Sequence, residues 1–197
     1  MRVVVASGNP GKLRELADLL QGLRFELLSQ STLDVSSVEE TGSTFVENAL
    51  LKARHAAQCT GLAAIADDSG LEVDALGGAP GIYSARYAGA EADDAANNAK
   101  LVEALAGVPA NQRSARYRCV LAWISSADDP HPLIATGCWE GEIVDLARGH
   151  GGFGYDAYFW LPELQCTAAE LDAATKNRIS HRGQAMQALL VALQARQ

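Results

Sequence analysis

The chain has 197 residues, 48% of them hydrophobic and 20% charged, with a formal net charge of −8. A length like this suits one domain or two intimately joined lobes and buries roughly 70% of the unfolded surface, so no disulfide or metal staple is required. The negative balance excludes general electrostatic partnership with nucleic acid, and a polyanionic substrate needs local cations or a metal to enter such a field. The four cysteines, Cys59, Cys119, Cys138 and Cys166, lie far apart without CxxC or Cys/His ligand spacing, as in a reducing compartment. The apolar run after Met1 is too short for a signal peptide and no stretch approaches a membrane span, so a cytoplasmic α/β protein is expected.

Residues 2–6, "RVVVA", form a continuous β-branched run and read as a buried strand. "SGNPG" breaks it, and Leu13, Leu16, Ala17 and Leu20 then fall at helical spacing. "FELLS" at 25–29 reads as a second strand, followed by a long polar stretch from Gln30 to Ser43 of the kind that often carries function. Thr44 with Glu47 fits a capping box, and Phe45, Ala49, Ala53 and Ala56 make one stripe of the helix it opens. "LAAIA" at 62–66 reads as a strand ending in two adjacent acids, Asp67 and Asp68.

"GGAPGIYSARYAG" reads as loop, and a helix is expected from about Glu91 to Ala106. From Ser114 to Trp123 the chain alternates: Ala115, Tyr117, Cys119, Leu121 and Trp123 on one face, Arg116 and Arg118 on the other. Strands are expected at about Pro132–Trp139, at "GEIVDLA" and at "AYFWLP", with a glycine-rich loop, "GHGGFGYD", before the last. A C-terminal helix carries Met186, Leu189, Leu190 and Leu193. Helix–strand alternation early and clustered strands late predict an α/β fold with a long mixed sheet flanked by helices.

Four segments combine special backbone with reactive side chains. "SGNPGK", residues 7–12, joins a buried strand to a helix N-terminus; its N–H groups, the helix dipole and Lys12 favour an anion. It is not a Walker loop, since Leu13 follows the lysine. In "ADDSG" the two aspartates point to opposite sides of an extended chain, which gives them different tasks: one to bind Mg2+ or activate water, the other to cap backbone or orient a partner. "VEETG" adds Glu39 and Glu40. "GGFGYD" at 151–156 allows close backbone approach to a ligand, with Tyr155 available to stack on a base. "KNRISHRG" packs Lys176, Arg178, His181 and Arg182 just ahead of an apolar helix, against the helix dipole, which favours an anionic partner.

In their order and spacing, the segments "ASGNPGKLRELADLL", "EETGSTFVENALLKARHAA", "AIADDSGLEVDALGGAPGIYSARYAG", "GGFGYDAYF" and "SHRGQA" resemble the inosine triphosphate pyrophosphatase family, most of all its bacterial branch. The resemblance implies a single domain of two lobes with a central active-site cleft, a homodimer, and Mg2+-dependent attack of water on the α-phosphorus of ITP, dITP or XTP. Carried over residue by residue, it implies that Ser7, Gly8, Asn9, Pro10, Gly11 and Lys12 hold the phosphates. Asp68 is then the general base and a metal ligand, with Glu39 the second ligand, chosen over Glu40 because it heads the E-x-x-G pattern. Ser69, Phe153, Gly154, Tyr155, Asp156, Lys176, His181 and Arg182 contact the nucleotide, and donors from His181 and Arg182 meet the 6-keto oxygen that adenine lacks. The competing readings are a septum-formation-type pyrophosphatase acting on pyrimidine or modified nucleotides, which "SHR" and "FGYD" oppose, and a nucleotide sensor without turnover, which a water-activating acid opposes.

Overall fold

The computed structural model describes residues 1–20 and 25–196. Among these residues seven strands form one sheet: β1 (Arg2–Ala6), β2 (Glu26–Ser29), β3 (Ala63–Val73), β4 (Ser114–Ile124), β5 (Leu133–Ile143), β6 (Phe159–Leu161) and β7 (Cys166–Thr167), in the order β2-β1-β3-β4-β5-β6-β7. The sheet is mixed, since β1 runs parallel to β2 and β3 while β5, β6 and β7 pair antiparallel. The α-helices among the described residues are α1 (Pro10–Leu19), α2 (Phe45–Thr60), α3 (Asp94–Ala104), α4 (Ala173–Ile179) and α5 (His181–Gln194). The mixed sheet flanked by helices is the one the sequence predicts.

The chain forms two compact units, one of Met1–Asp68, Cys119–Gly137 and Arg182–Gln197, the other of Ser69–Arg118 and Cys138–His181. In the first, alternation along the strands feeds two cores. Val3, Val5, Ala63, Ile65, Cys119, Leu121 and Trp123 pack with Leu16 of α1 and Ala185, Met186 and Leu189 of α5. Their neighbours Val4, Ala6, Ala64, Ala66, Val120, Ala122 and Ile124 pack with Ala49, Ala53, Ala56 and Ala57 of α2. Helices therefore cover both faces, and the strands read as unbroken apolar runs for that reason. In the second unit one face of β3, β4 and β5 is apolar, with Leu71, Val73, Ala115, Tyr117, Trp139 and Ile143 packed against Leu101 and Leu105. The other face carries an ion-pair ladder: Arg118 with Glu72, and Arg116 with both Asp74 and Glu140.

The structure corrects three expectations. The strand read at 62–66 runs on to Val73, so Asp67 and Asp68 lie in mid-strand rather than at a tip. "GEIVDLA" starts no strand of its own, because Gly141–Ile143 is the end of β5. "GGAPGIYSARYAG" contains a 3-10 helix, Gly81–Arg86.

Candidate active site

Being consecutive on an extended strand, Asp67 and Asp68 face opposite sides of the sheet. Asp67 continues the row of Ala63 and Ile65 and meets α1 and α5; Asp68 continues the row of Ala64 and Ala66 and meets α2. The difference in task expected from sequence follows from this alternation.

On the first side, Asp67 is 1% exposed. Lys12 Nζ lies 2.6 Å from its Oδ1, and Arg182 Nε donates to its Oδ2 at 2.8 Å. Arg182, also 1% exposed, donates from Nη1 to Glu15, and the Cys119 thiol donates to Asp67 Oδ2 at 3.2 Å. Burial pushes the Asp67 carboxyl up, but Arg182 and then Lys12 outweigh it and hold it well below the usual carboxylate range. Asp67 is a permanent anion that fixes two cations.

Lys12 reaches Asp67 from a capped helix start. Asn9 Oδ1 accepts the N–H groups of Gly11 at 2.8 Å and Lys12 at 3.1 Å, Pro10 opens the helix, and Ser7 Oγ accepts from Asn9 N. Gly8, Asn9 and Pro10 are exposed while Ser7 and Gly11 are buried. The loop is thus preformed, with part of its donor set already taken by Asn9.

On the second side, Lys52 of α2 donates to Asp68 Oδ1 at 2.7 Å and to Glu40 Oε1 at 2.9 Å. Asp68 Oδ2 is buried and has no hydrogen-bond partner among the described residues. Burial pushes the Asp68 carboxyl up and Lys52 pulls it down; burial wins, and the group lies above the ordinary aspartate value. The Lys52 ammonium is pushed down by burial but raised overall by Asp68 and Glu40. Glu40, not the exposed Glu39, is therefore the carboxylate that the fold brings to Asp68.

The reason lies in the loop's anchors. Gly42 N donates to Asn48 Oδ1 at 2.8 Å, while Ser43 and Thr44 donate to Glu47 in the capping box. A Cβ on Gly42 would lie 2.6 Å from Asn48 Oδ1, so this approach requires glycine. Among the described residues no group of three or more His, Cys, Asp or Glu is arranged to hold a metal. A hard cation that takes one or two carboxylates plus substrate phosphates and water does not need such a group. Asp68 and Glu40, the two carboxylates joined by Lys52, fit that demand.

In the second unit, the loop Phe153–Asp156 is fastened by several bonds. Lys176 Nζ donates to Asp156 Oδ2 at 2.6 Å and lies 5.0 Å from the centre of the Phe153 ring; Phe153 N donates to the same Oδ2. His181 is buried and stacks on Tyr117 with ring centroids 4.6 Å apart. Ser69 is half-buried on β3. Two expectations change here. Tyr155 is buried and its hydroxyl donates to Ser84 O, so its ring belongs to the core, while Phe153 is half-buried. The basic segment 176–182, read as favouring an anionic partner, has two of its cations answered within the chain, because Lys176 and Arg182 are buried against Asp156, Asp67 and Glu15.

Sequence reasoning missed Lys52 and Glu15. Lys52 had one legible signal: it stands a single turn beyond Asn48 on a helix whose buried stripe is otherwise alanine. Glu15 had none, since its partner Arg182 is 167 residues away.

An α/β fold that carries on one strand an acid held ionised and a neighbouring acid raised above the ordinary aspartate value has the chemistry a hydrolase needs. The chain belongs to the Ham1 family, whose model matches residues 3–192. It is 59% identical over 196 residues, all of both chains, to a Thioalkalivibrio sulfidiphilus protein named "dITP/XTP pyrophosphatase". A HAM1 protein structure from Coxiella burnetii is similar at TM-score 0.91 and 51% identity, over 99% of each chain. The Ham1 protein of Staphylococcus aureus gives TM-score 0.87 and 39% identity over all of both chains. The family read from the sequence motifs is the one found.

Proposed function

We propose that this protein hydrolyses ITP, dITP and XTP to the monophosphate and pyrophosphate, clearing non-standard purines from the nucleotide pool. Relatives named dITP/XTP pyrophosphatase support the substrate class. The observation that carries the chemistry is Asp68: a buried carboxylate with one oxygen anchored on Lys52 and the other without a partner. That free oxygen is an acceptor for the proton of an attacking water, and a pKa raised above the ordinary aspartate value makes it a better base.

Water adds to the α-phosphorus, its proton passes to Asp68 Oδ2, and the bond from the α-phosphorus to the bridging oxygen breaks as pyrophosphate leaves. Lys12, presented by the Ser7–Lys12 loop, offsets phosphate charge, as does Lys176. Asp68 and Glu40 are the ligands proposed for a Mg2+ ion, Glu40 replacing Glu39 because of its contact with Lys52. When bound, Mg2+ polarises the phosphates and stabilises charge on the leaving group.

Ser69, Phe153, Gly154, Asp156 and His181 are proposed to contact the nucleotide. Arg182 acts through Asp67, because its Nε and Nη1 are engaged with carboxylates. Its donors thus set the position of Lys12, and recognition of the 6-keto oxygen falls to His181. No helix among the described residues is long and apolar enough to cross a membrane. A cytoplasmic location and a homodimer complete the proposal on the family resemblance.

The test is Mg2+-dependent pyrophosphate release from ITP, XTP, GTP, ATP, dTTP and UTP. Strong release from ITP and XTP with little from the rest is expected. Equal rates on ATP would refute base selection, preference for UTP or dTTP would favour the septum-formation type, and no release from any would favour a sensor.

A further inference from the structure

We propose that Asp94 and Asn98, on the first turns of α3, are positioning residues that hold Gly154 and thereby aim the nucleotide-facing loop. The inference rests on the reading above that Phe153–Asp156 contacts the substrate. Gly154 has φ +63, a conformation that a glycine adopts freely but that needs fixing to be of use in recognition. Its N–H donates to Asp94 Oδ2 at 2.6 Å. Its carbonyl accepts from Asn98 Nδ2 at 2.8 Å, and the same Nδ2 donates to the Asp94 carbonyl at 2.7 Å. Both peptide groups flanking Gly154 are therefore fastened to one helix turn, more than fifty residues away in sequence.

The peptide on the N-terminal side carries the Phe153 carbonyl, so the Asp94 bond and the Phe153 N–H bond to Asp156 together set the Phe153 backbone. Asn98 is 8% exposed, and its Oδ1 is buried with no hydrogen-bond partner among the described residues. An amide with an unmet acceptor is a poor choice for helix stability, where an aliphatic side chain costs nothing polar. Its retention points to the bonds that Nδ2 makes. The adjacent Asn97 serves the neighbouring segment in the same way, accepting from Ala88 N at 2.8 Å and donating to Ala85 O at 3.2 Å. The helix itself is capped independently by Asp93, whose Oδ1 accepts from Ala96 N.

A loop already in place binds its ligand without an ordering penalty; a loosened one binds more weakly while the chemistry at Asp68 is untouched. Removal of such uniform binding raises KM and spares kcat. Asn98→Leu keeps the branched outline of the side chain and the helix but deletes the clamp. It should raise KM for ITP about tenfold, the equivalent of ~1.4 kcal/mol, with kcat within about twofold. In nucleotide-free protein it should also speed amide exchange at Gly154 while α3 exchange stays as in the parent. Asp94→Ala, at an exposed position, should act in the same direction and carries the test if Asn98→Leu does not fold; Asp94→Asn, which keeps an acceptor, should restore most of the loss. Parental KM and parental Gly154 exchange in the folded variant would overturn the proposal, as would a fall in kcat at constant KM. Faster Gly154 exchange in a protein whose parent turns over no ITP would uphold the clamp and strike the function reading instead.

Discussion

At the scale of single residues, the proposed chemistry turns on how Asp68 is shared between burial and Lys52. Burial raises its pKa and Lys52 lowers it, so Lys52 limits how far the proposed base is raised. Since the base must be unprotonated, activity falls as pH drops through the raised value. Lys52→Met removes the downward pull and should move the acid limb of the kcat/KM profile to higher pH, losing more activity at pH 6 than at pH 8.5. An unmoved limb would assign Lys52 to phosphate binding alone. The two acids of the E-x-x-G loop separate in the same way. Glu40→Gln should raise the Mg2+ concentration needed for half-maximal rate by about tenfold, from a loss of ~1.4 kcal/mol, while Glu39→Gln leaves it nearly constant. The reverse result would return the metal site to Glu39, the residue favoured on sequence spacing.

At the scale of elements, β3 distributes the site by its alternation: one acid for α1 and α5, the next for α2. Removing Arg182 leaves the buried Asp67 with Lys12 in place of two cations, so Arg182→Ala should destabilise the fold by up to about 3–5 kcal/mol, read from urea unfolding. The same pair predicts a pH dependence in metal-free protein. Asp67 has a depressed native value against about 3.9 unfolded. The native state therefore binds fewer protons, and the stabilisation is fully present above roughly pH 4 and lost as pH falls toward the native value. In Arg182→Ala that slope should shrink; equal slopes in both proteins would mean that Arg182 does not hold Asp67 ionised. These elements were partly legible beforehand. The alternation at 114–123 and the Thr44–Glu47 capping box are local patterns; the capping box is present as read, and the alternation holds as far as Arg118, beyond which β4 is buried on both faces. The extent of β3 was not, because Asp67, Asp68, Ser69 and Gly70 look like a strand end until partners supply the charges that let the strand continue through them.

At the scale of the whole molecule, a chain of net charge −8 gathers cations around its acids and pairs each with a carboxylate: Lys12 with Asp67, Lys52 with Asp68 and Glu40, Lys176 with Asp156. The family and the order of its motifs could be read from sequence because the motifs are long and contiguous. The pairings could not, because the carboxylate answering each cation lies 12 to 167 residues away. The run 176–182 accordingly looked like unspent positive charge, and Tyr155 looked available when its hydroxyl belongs to Ser84.

What unites these scales is the assignment of Asp68 as the base that deprotonates water, and one variant tests it most directly. Asp68→Asn keeps shape, removes the base, and leaves the Lys12 loop and the Phe153 loop as they are. Measured side by side, its pyrophosphate release from ITP should be abolished while ITP binding by calorimetry stays within a few-fold of the parent. Retained turnover, or loss of binding together with turnover, would contradict that assignment.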